Sequence, residues 1–119
     1  MAIISHLASL EDAQKAIEPL QQPMADPLGA VIETKTFNLF STENGSLHTG
    51  TWETATGLSR WSFDEGGEVI YVLGGKMTVT RDGEEPQEIG AGDLAIFPQG
   101  WTGTWNVTEP LSKVYVVYK

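Results

Sequence analysis

The stretch Gly92-Asp-Leu-Ala-Ile-Phe-Pro98-Gln-Gly100-Trp-Thr-Gly103-Thr-Trp105 decides the fold of this chain. Its glycines and proline mark two turns, because glycine adopts positive φ angles readily and proline fixes φ. The segment 93–97 between the turns is apolar after Asp93 and is typical of a short strand, and a second strand follows the Pro98-Gln-Gly100 turn. Alternation along that second strand places Trp101, Gly103 and Trp105 on one face. Short strands joined by tight turns indicate an all-β protein.

The composition indicates one globular domain with an acidic surface. The chain has 119 residues, and its formal net charge is −9. Such a surface repels nucleic-acid phosphates and anionic lipids, so we expect neither nucleic acid nor a membrane among the partners. The sequence has no cysteine, which excludes disulfides and thiolate metal sites. The first residues lack the basic and apolar regions of a secretory signal, so we expect a cytoplasmic protein.

The chain divides into an N-terminal arm, residues 1–33, and a barrel domain, residues 34–119. In the arm, Ser9 is a suitable N-cap, and apolar residues recur at helical spacing from Leu10 to Leu20, which predicts one short helix. From Thr34 onward, short apolar runs alternate with glycine-rich turns, as in a jelly-roll barrel. The expected strands are 34–40, 47–53, 58–63, 68–73, 76–81, 87–89, 93–97, 103–107 and 113–118.

The residues around Glu68 resemble the first sequence motif of the cupin family. That motif contains two histidines, then a glutamate and a glycine. Glu68 and Gly75 match the glutamate and the glycine, whereas Ser62 and Asp64 stand at the histidine positions. The resemblance implies the double-stranded β-helix of cupins, an RmlC-like jelly-roll barrel.

The stretch from Gly92 to Trp105 resembles the second cupin motif, which consists of a glycine, a proline, a glycine and a histidine. Gly92, Pro98 and Gly100 match the first three positions, and Gly103 stands where the family has its histidine. The two motifs together cover close to half of the chain. The family's usual metal-binding histidines are therefore all replaced here.

Further residues are similar to those of small single-domain cupins, in the ureidoglycine-aminohydrolase-like or ethanolamine-utilisation-like subgroup. The similarity rests on Trp61-Ser-Phe-Asp-Glu65, Glu68-Val-Ile-Tyr-Val-Leu-Gly-Gly75 and Lys113-Val-Tyr-Val116, in addition to the stretch from Gly92 to Trp105. This resemblance implies substrates of nitrogen metabolism or of ethanolamine utilisation.

The metal chemistry of cupins is not expected in this chain. A transition metal needs three or four convergent nitrogen or oxygen ligands, and imidazole is a common one. The family's ligand positions offer Ser62, Asp64, Glu68 and Gly103, of which Gly103 has no side chain and serine is a poor ligand. We therefore expect no metal cofactor, although two carboxylates and waters leave a weakly held divalent cation open.

Strand alternation predicts a ligand site at the barrel mouth. Residues two apart share a face, so Arg60, Ser62 and Asp64 are expected to point inward, beside Glu68. The indoles of the second motif would then fill the volume that imidazoles and a metal occupy in other cupins. Apolar walls with a few polar groups are typical of small-molecule pockets. The expected ligand-binding residues are Arg60, Ser62, Asp64, Glu68, Trp101 and Trp105.

Three other residues are given structural roles. Trp52 and Trp61 are expected to pack the barrel, and Trp61 alternates with Ser62 and so faces away from the pocket. His48 has no second histidine or carboxylate at a matching spacing, which favours a structural histidine over a metal ligand or proton shuttle.

These observations favour a module that binds a small polar metabolite in the barrel mouth. The alternative is an enzyme, either a ureidoglycine-type aminohydrolase or a metal-free isomerase or lyase. In that case Glu68 and Asp64 act as acid and base or as weak metal ligands. A structural ion pair with Arg60 would remove one carboxylate from that role. A third reading is a barrel plugged by Trp101 and Trp105 that binds nothing.

The strand at 113–118 is long and rich in β-branched and aromatic residues. If it lay at the edge of the sheet, it would invite pairing with another chain. We therefore expect a homodimer that covers this strand or the N-terminal arm.

Overall fold

The computed structural model describes residues 1–119 as one curled sheet, which confirms the all-β jelly-roll fold expected from the sequence. Two single turns of 3-10 helix, Leu7–Ser9 and Asp12–Gln14, precede the strands. The nine strands are β1 Ala16–Pro19, β2 Ala25–Pro27, β3 Glu33–Ser41, β4 Leu47–Thr54, β5 Gly57–Ser62, β6 Gly67–Arg81, β7 Gln87–Gly90, β8 Leu94–Phe97 and β9 Thr102–Tyr118.

Two of these strands are longer than the sequence predicted. The expected strands 68–73 and 76–81 form one bent strand, β6, and the strands 103–107 and 113–118 form β9. The bend in β6 falls where its register with β9 shifts, between Val72 and Met77. Gly75 has a φ of +88° there, and a Cβ at this position would lie 2.1 Å from the carbonyl oxygen of Pro110. The glycine therefore permits two strands to approach closely at a corner without a break in either.

The strand β9 lies in the middle of the sheet. Its second half pairs with β4 on one side and with β6 on the other, and its first half pairs with β5 and β6 in the same way. Residues 113–118 are therefore not an exposed edge, and the edge argument for a homodimer does not apply. A central position suits this strand better than an edge, because the backbone groups on both of its sides are hydrogen-bonded and its inward side chains reach the core.

The N-terminal arm contains no α-helix, so the helix predicted from Ser9 is wrong. The chain extends instead into β1, which pairs antiparallel with β3. Ile17, one of the residues that suggested a helix, is 55% exposed on this strand. Lys15 donates a hydrogen bond to Glu53 at 2.7 Å. Pairing with the sheet thus satisfies backbone groups that an isolated short helix would satisfy only marginally.

Aromatic rings form the centre of the core. The rings of Trp61 and Trp105 stack with centroids 3.8 Å apart, and Trp52 meets both of them edge to face. Phe97 and Trp101 continue the cluster toward the turn that follows β8. Residues of the arm, among them Leu20 and Ala25, are also buried in this core. None of the helical turns is long or apolar enough to cross a membrane.

The homodimer stays a prediction, and the structure gives a different reason for it. Tyr71 and Leu73 of β6 and Leu94 and Ile96 of β8 are between 45% and 74% exposed. Apolar side chains gathered on one face of paired strands are typical of a surface that a partner covers. Light scattering should give twice the 12.9 kDa mass of one chain, and Leu94→Lys should lower that mass. A monomeric mass of the unmodified chain at micromolar concentration would contradict the prediction.

Candidate functional site

A cavity of about 300 Å³ lies inside the barrel between β3, β4, β5, β6 and β9, and we call it the inner cavity. Its wall is largely aromatic and aliphatic, with a few polar side chains among them. The lining residues are Met24, Thr36, Trp52, Trp61, Ser62, Phe63, Glu68, Lys113, Tyr115 and Val117.

A buried ion pair closes one side of the inner cavity. The ammonium of Lys113 donates a hydrogen bond to Oε2 of Glu68 at 2.5 Å, and the two residues are only 2% and 4% exposed. Both side chains point inward because they alternate with outward residues on β9 and β6. Burial lowers the pKa of Lys113 from its usual value, and the charge of Glu68 opposes that shift.

Indole rings surround the same ammonium group. Nζ of Lys113 lies 4.5 Å from the ring centroid of Trp52, 4.6 Å from that of Trp105 and 5.7 Å from that of Trp61. These distances fall within the range of favourable cation–π contacts. We call the three indoles together with the carboxylate of Glu68 the aromatic box. Its four members come from β4, β5, β6 and β9, so the box forms only when the barrel closes.

Tyr115 begins a chain of hydrogen bonds that leaves the inner cavity. Its hydroxyl donates to Oδ1 of Asn38 at 2.9 Å, and Nδ2 of Asn38 donates to Oγ of Ser41 at 2.8 Å. Oγ of Ser41 then lies 2.7 Å from Nδ1 of His48. Burial and the nearby charge of Glu68 raise the pKa of Tyr115 to about 12, so the phenol stays neutral. The chain links the cavity wall to a histidine near the surface.

Several polar atoms on the cavity wall have no partner within the protein. Nε1 of Trp52 and Oγ1 of Thr36 are buried without a hydrogen bond. Oε2 of Glu68 is bonded to Lys113, and Oε1 accepts no hydrogen bond from the chain. Buried polar groups are nearly always paired, so unpaired ones on a cavity wall favour a bound molecule or water there.

A larger cavity of about 810 Å³ adjoins the first, and we call it the outer cavity. The two share Met24, Ser62, Phe63 and Val117 in their walls. The rest of the wall includes glutamine, carboxylate and histidine side chains, together with prolines, glycines, Thr34, Tyr118 and Lys119. Polar members of its wall are Glu18, Gln21, Gln22, His48, Asp64 and Glu65.

The expected inward orientation of Arg60 is wrong. Arg60 forms an ion pair with Asp82 on the outside of the sheet, where its side chain is 42% exposed. On β5 it is Ser59 and Trp61 that are buried, so the strand has the opposite face inward from the one predicted. Burying an indole removes far more apolar surface from water than burying serine and arginine would, and this decides which face turns inward. The prediction that Trp61 faces away from the pocket is wrong for the same reason.

The other two residues expected beside Arg60 lie near the cavities without pointing into the core. Ser62 is exposed at the end of β5 and contributes to the walls of both cavities. Asp64 is exposed in the loop after β5 and lines the outer cavity, whereas Glu68 lines the inner one. The expected pair of inward carboxylates is therefore divided between two cavities.

The tryptophans also differ from expectation. Trp52, which was expected only to pack in the barrel, lines the inner cavity and is a member of the aromatic box. Trp105 belongs to the box but is fully buried behind Lys113, and Trp101 packs on Phe97 outside the cavity wall. Lys113 and Tyr115 were missed as site residues. Their signal was a lysine that shares the buried face of an otherwise apolar strand with a tyrosine two residues later.

The residues at the family's metal positions do not fit a metal centre. Of the four, only Glu68 points into the barrel, and its carboxylate already pairs with Lys113. At Gly103, a Cβ would lie 2.1 Å from the carbonyl oxygen of Thr80, so no side chain can replace the missing histidine. No group of three or more histidine, aspartate or glutamate side chains is placed to hold a metal ion.

Comparisons with known proteins support the cupin fold. The family described as EutQ-like cupin domain matches residues 41–115. The solved EutQ protein of Clostridium difficile is 26% identical, with a TM-score of 0.61, and the match covers 73% of this chain and 68% of EutQ. A DUF861 family protein of Thermotoga maritima is 35% identical over 57% of this chain and 76% of its own length, with a TM-score of 0.55.

More distant structures share the fold alone. The polyketide cyclase RemF of Streptomyces resistomycificus is 21% identical, and the match covers 92% of this chain and 77% of RemF, with a TM-score of 0.67. A search of curated proteins gave no match.

Gly103→Ala should destabilise the protein by about 1–3 kcal/mol, since the added methyl group overpacks a site bounded by backbone. Gly29→Ala is the matched control, because no atom lies within 4 Å of the Cβ that it would add. Urea unfolding of the two variants measures the difference. Equal stabilities would mean that the Gly103 site has room for a side chain.

Tyr115 should ionise late in an alkaline titration. The pKa of Tyr115 in the folded protein, about 12, lies above the ordinary tyrosine value of 10.0. The folded state therefore keeps its proton when the unfolded state has lost it, and this contribution to stability is present below pH 10 and disappears as the pH rises through 12. The difference in phenolate absorbance between the unmodified protein and Tyr115→Phe should have its midpoint near pH 12. A midpoint near 10 would contradict the burial of this hydroxyl beside Glu68.

Proposed function

We propose that this chain, which belongs to the EutQ-like cupin domain family, binds a small, neutral, polar metabolite in the inner cavity. The observation that carries the proposal is that two of the three buried side-chain atoms without a hydrogen bond, Nε1 of Trp52 and Oγ1 of Thr36, belong to residues of this largely apolar wall. A cavity of about 300 Å³ lies at the lower end of the range for small-molecule sites.

The wall favours a ligand that both donates and accepts hydrogen bonds. The N–H of Trp52 needs an acceptor, Oε1 of Glu68 accepts a donor, and the hydroxyl of Thr36 can do either. Amides, ureides and hydroxy compounds carry both kinds of group in a few atoms. A charged ligand is disfavoured, because Glu68 and Lys113 already neutralise each other and another buried charge would have no counter-ion.

The outer cavity supports the same proposal as a route of entry. It shares four wall residues with the inner cavity, and its own wall is rich in polar side chains. A polar ligand can exchange water for glutamine and carboxylate groups there before its smaller part enters the apolar interior. Met24 stands in the walls of both cavities and lies in the arm, so the arm contributes to the passage between them.

The enzymatic alternative draws on Glu68, the one carboxylate in the inner cavity. A ureidoglycine-type aminohydrolase, or an isomerase or lyase, needs a second group to exchange protons with the substrate. Asp64, the expected partner, lines the other cavity. Binding without turnover therefore has more support from the geometry than acid–base catalysis by these two residues.

A thermal-shift screen tests the binding proposal. The panel contains ureides, amides, amino alcohols, sugars and small acids. Neutral members with both hydrogen-bonding groups should raise the melting temperature by several degrees at about one hundred times their Kd, a gain of roughly 2.7 kcal/mol. No shift across the panel, or shifts from small acids alone, would contradict the proposal.

The position of a ligand found in this way is tested with two matched variants. Trp52→Phe removes an unpaired N–H of the cavity wall and keeps a ring, so the affinity should fall roughly 3- to 10-fold. Trp101→Phe makes the same change outside the cavity wall and should leave the affinity unchanged. Equal effects of the two variants in calorimetry would place the ligand elsewhere.

A further inference from the structure

The aromatic box has the composition of a binding site for an organic ammonium ion. Three indole faces lie within 6 Å of Nζ of Lys113, and one carboxylate bonds to it. Indole is the aromatic side chain that attracts cations most strongly, and such attraction increases when the cation is removed from water. The site recognises a cation through rings and one charge, and does not need the directional ligands of a metal.

The ammonium of Lys113 has one hydrogen-bond acceptor in the protein, and indole rings lie close to it. An ammonium has three N–H donors, and one of them bonds to Glu68. No other oxygen of the chain accepts from Nζ, and the rings of Trp52 and Trp105 cover it at 4.5 and 4.6 Å. The ammonium therefore contacts both the carboxylate and the rings of the box, and Lys113 also forms part of the wall of the inner cavity.

The charge balance permits only one cation in the box. Glu68 is 4% exposed, and a buried carboxylate without a partner is strongly unfavourable. Lys113 supplies the single positive charge that this carboxylate requires. A metal ion or a free amine would have to displace a group that is covalently attached to β9 and already in contact with its partner.

We propose that Lys113 is a built-in cation that fills an ammonium-binding site at the centre of the barrel and thereby keeps metal ions and free amines out of it. This inference does not depend on the binding of a metabolite in the inner cavity. It assigns to Lys113 a role in specificity, because the residue decides which class of ligand the barrel admits. Without its ammonium, the box becomes a receptor for small alkylammonium ions.

Chemical rescue of Lys113→Ala tests the proposal. The substitution removes Cγ, Cδ, Cε and Nζ, and n-propylammonium has the same heavy atoms in the same order. The variant should melt roughly 10 °C or more below the unmodified protein, because Glu68 loses its partner. Added n-propylammonium should bind saturably, raise the melting temperature by several degrees and change the tryptophan fluorescence.

Three controls separate rescue from general effects. The unmodified protein should not respond to n-propylammonium beyond its response to sodium chloride at the same ionic strength. 1-Propanol, which has the same shape and no charge, should rescue Lys113→Ala far less. The double variant Glu68→Gln/Lys113→Ala should be more stable than Lys113→Ala and should lose the preference for the cation, because its box has no carboxylate. Equal responses to the amine and the alcohol, or none to either, would overturn the proposal.

A measurement on the unmodified protein keeps the proposal testable if Lys113→Ala does not fold. In nitrogen-15 NMR, the amine of Lys113 should appear as a protonated ammonium at pH 7 whose protons exchange slowly. Its ε-methylene protons should be shifted upfield by the rings of Trp52 and Trp105. Glu68→Gln should remove the slow exchange. A neutral amine, or one that exchanges as fast as exposed lysines, would overturn the proposal.

Discussion

The buried contact between Lys113 and Glu68 is the interaction on which the rest of the barrel depends. An ion pair that is almost completely removed from water is stable only when both partners stay in place and further contacts offset their lost hydration. Here indoles from three strands provide those contacts. The same residues thus fix the strand packing, the charge of the interior and the shape of the inner cavity. A change to any of them alters all three.

Much of the fold could be predicted from the sequence, because turns and strands have local signals. The Gly92 to Trp105 stretch carries the turn on each side of β8, and the strands from β3 onward lie within a few residues of the predicted positions, whereas β1 and β2 were not predicted. The merging of strands into β6 and β9 could not be predicted in this way. A glycine pair such as Gly74 and Gly75 signals a turn and a bend equally well, and only the partner strand distinguishes them.

The candidate site was predicted less well, for two physical reasons. Alternation gives two faces of a strand but does not say which is inside, and on β5 the face with Arg60 was chosen although Trp61 has more apolar area to bury. Lys113 was overlooked because lysine is almost never buried alone, and its partner lies 45 positions away along the chain. The helix expected from Ser9 was wrong for a similar reason. The spacing of apolar residues does not show that the edge of β3 can pair with this segment as a strand.

The central position of β9 has a consequence for the order of events during synthesis. Its partners β4, β5 and β6 all precede it in the chain, so a ribosome releases them before the strand that joins them. Until β9 emerges, Glu68 lacks its counter-ion, the indoles of β4 and β5 lack the ring of Trp105, and the edges of β4, β5 and β6 that pair with β9 are exposed. Pairings between strands far apart in the sequence slow folding and leave hydrophobic surface exposed for longer. The nascent chain is therefore most exposed to aggregation, and to binding by chaperones, in the interval just before β9 is synthesised.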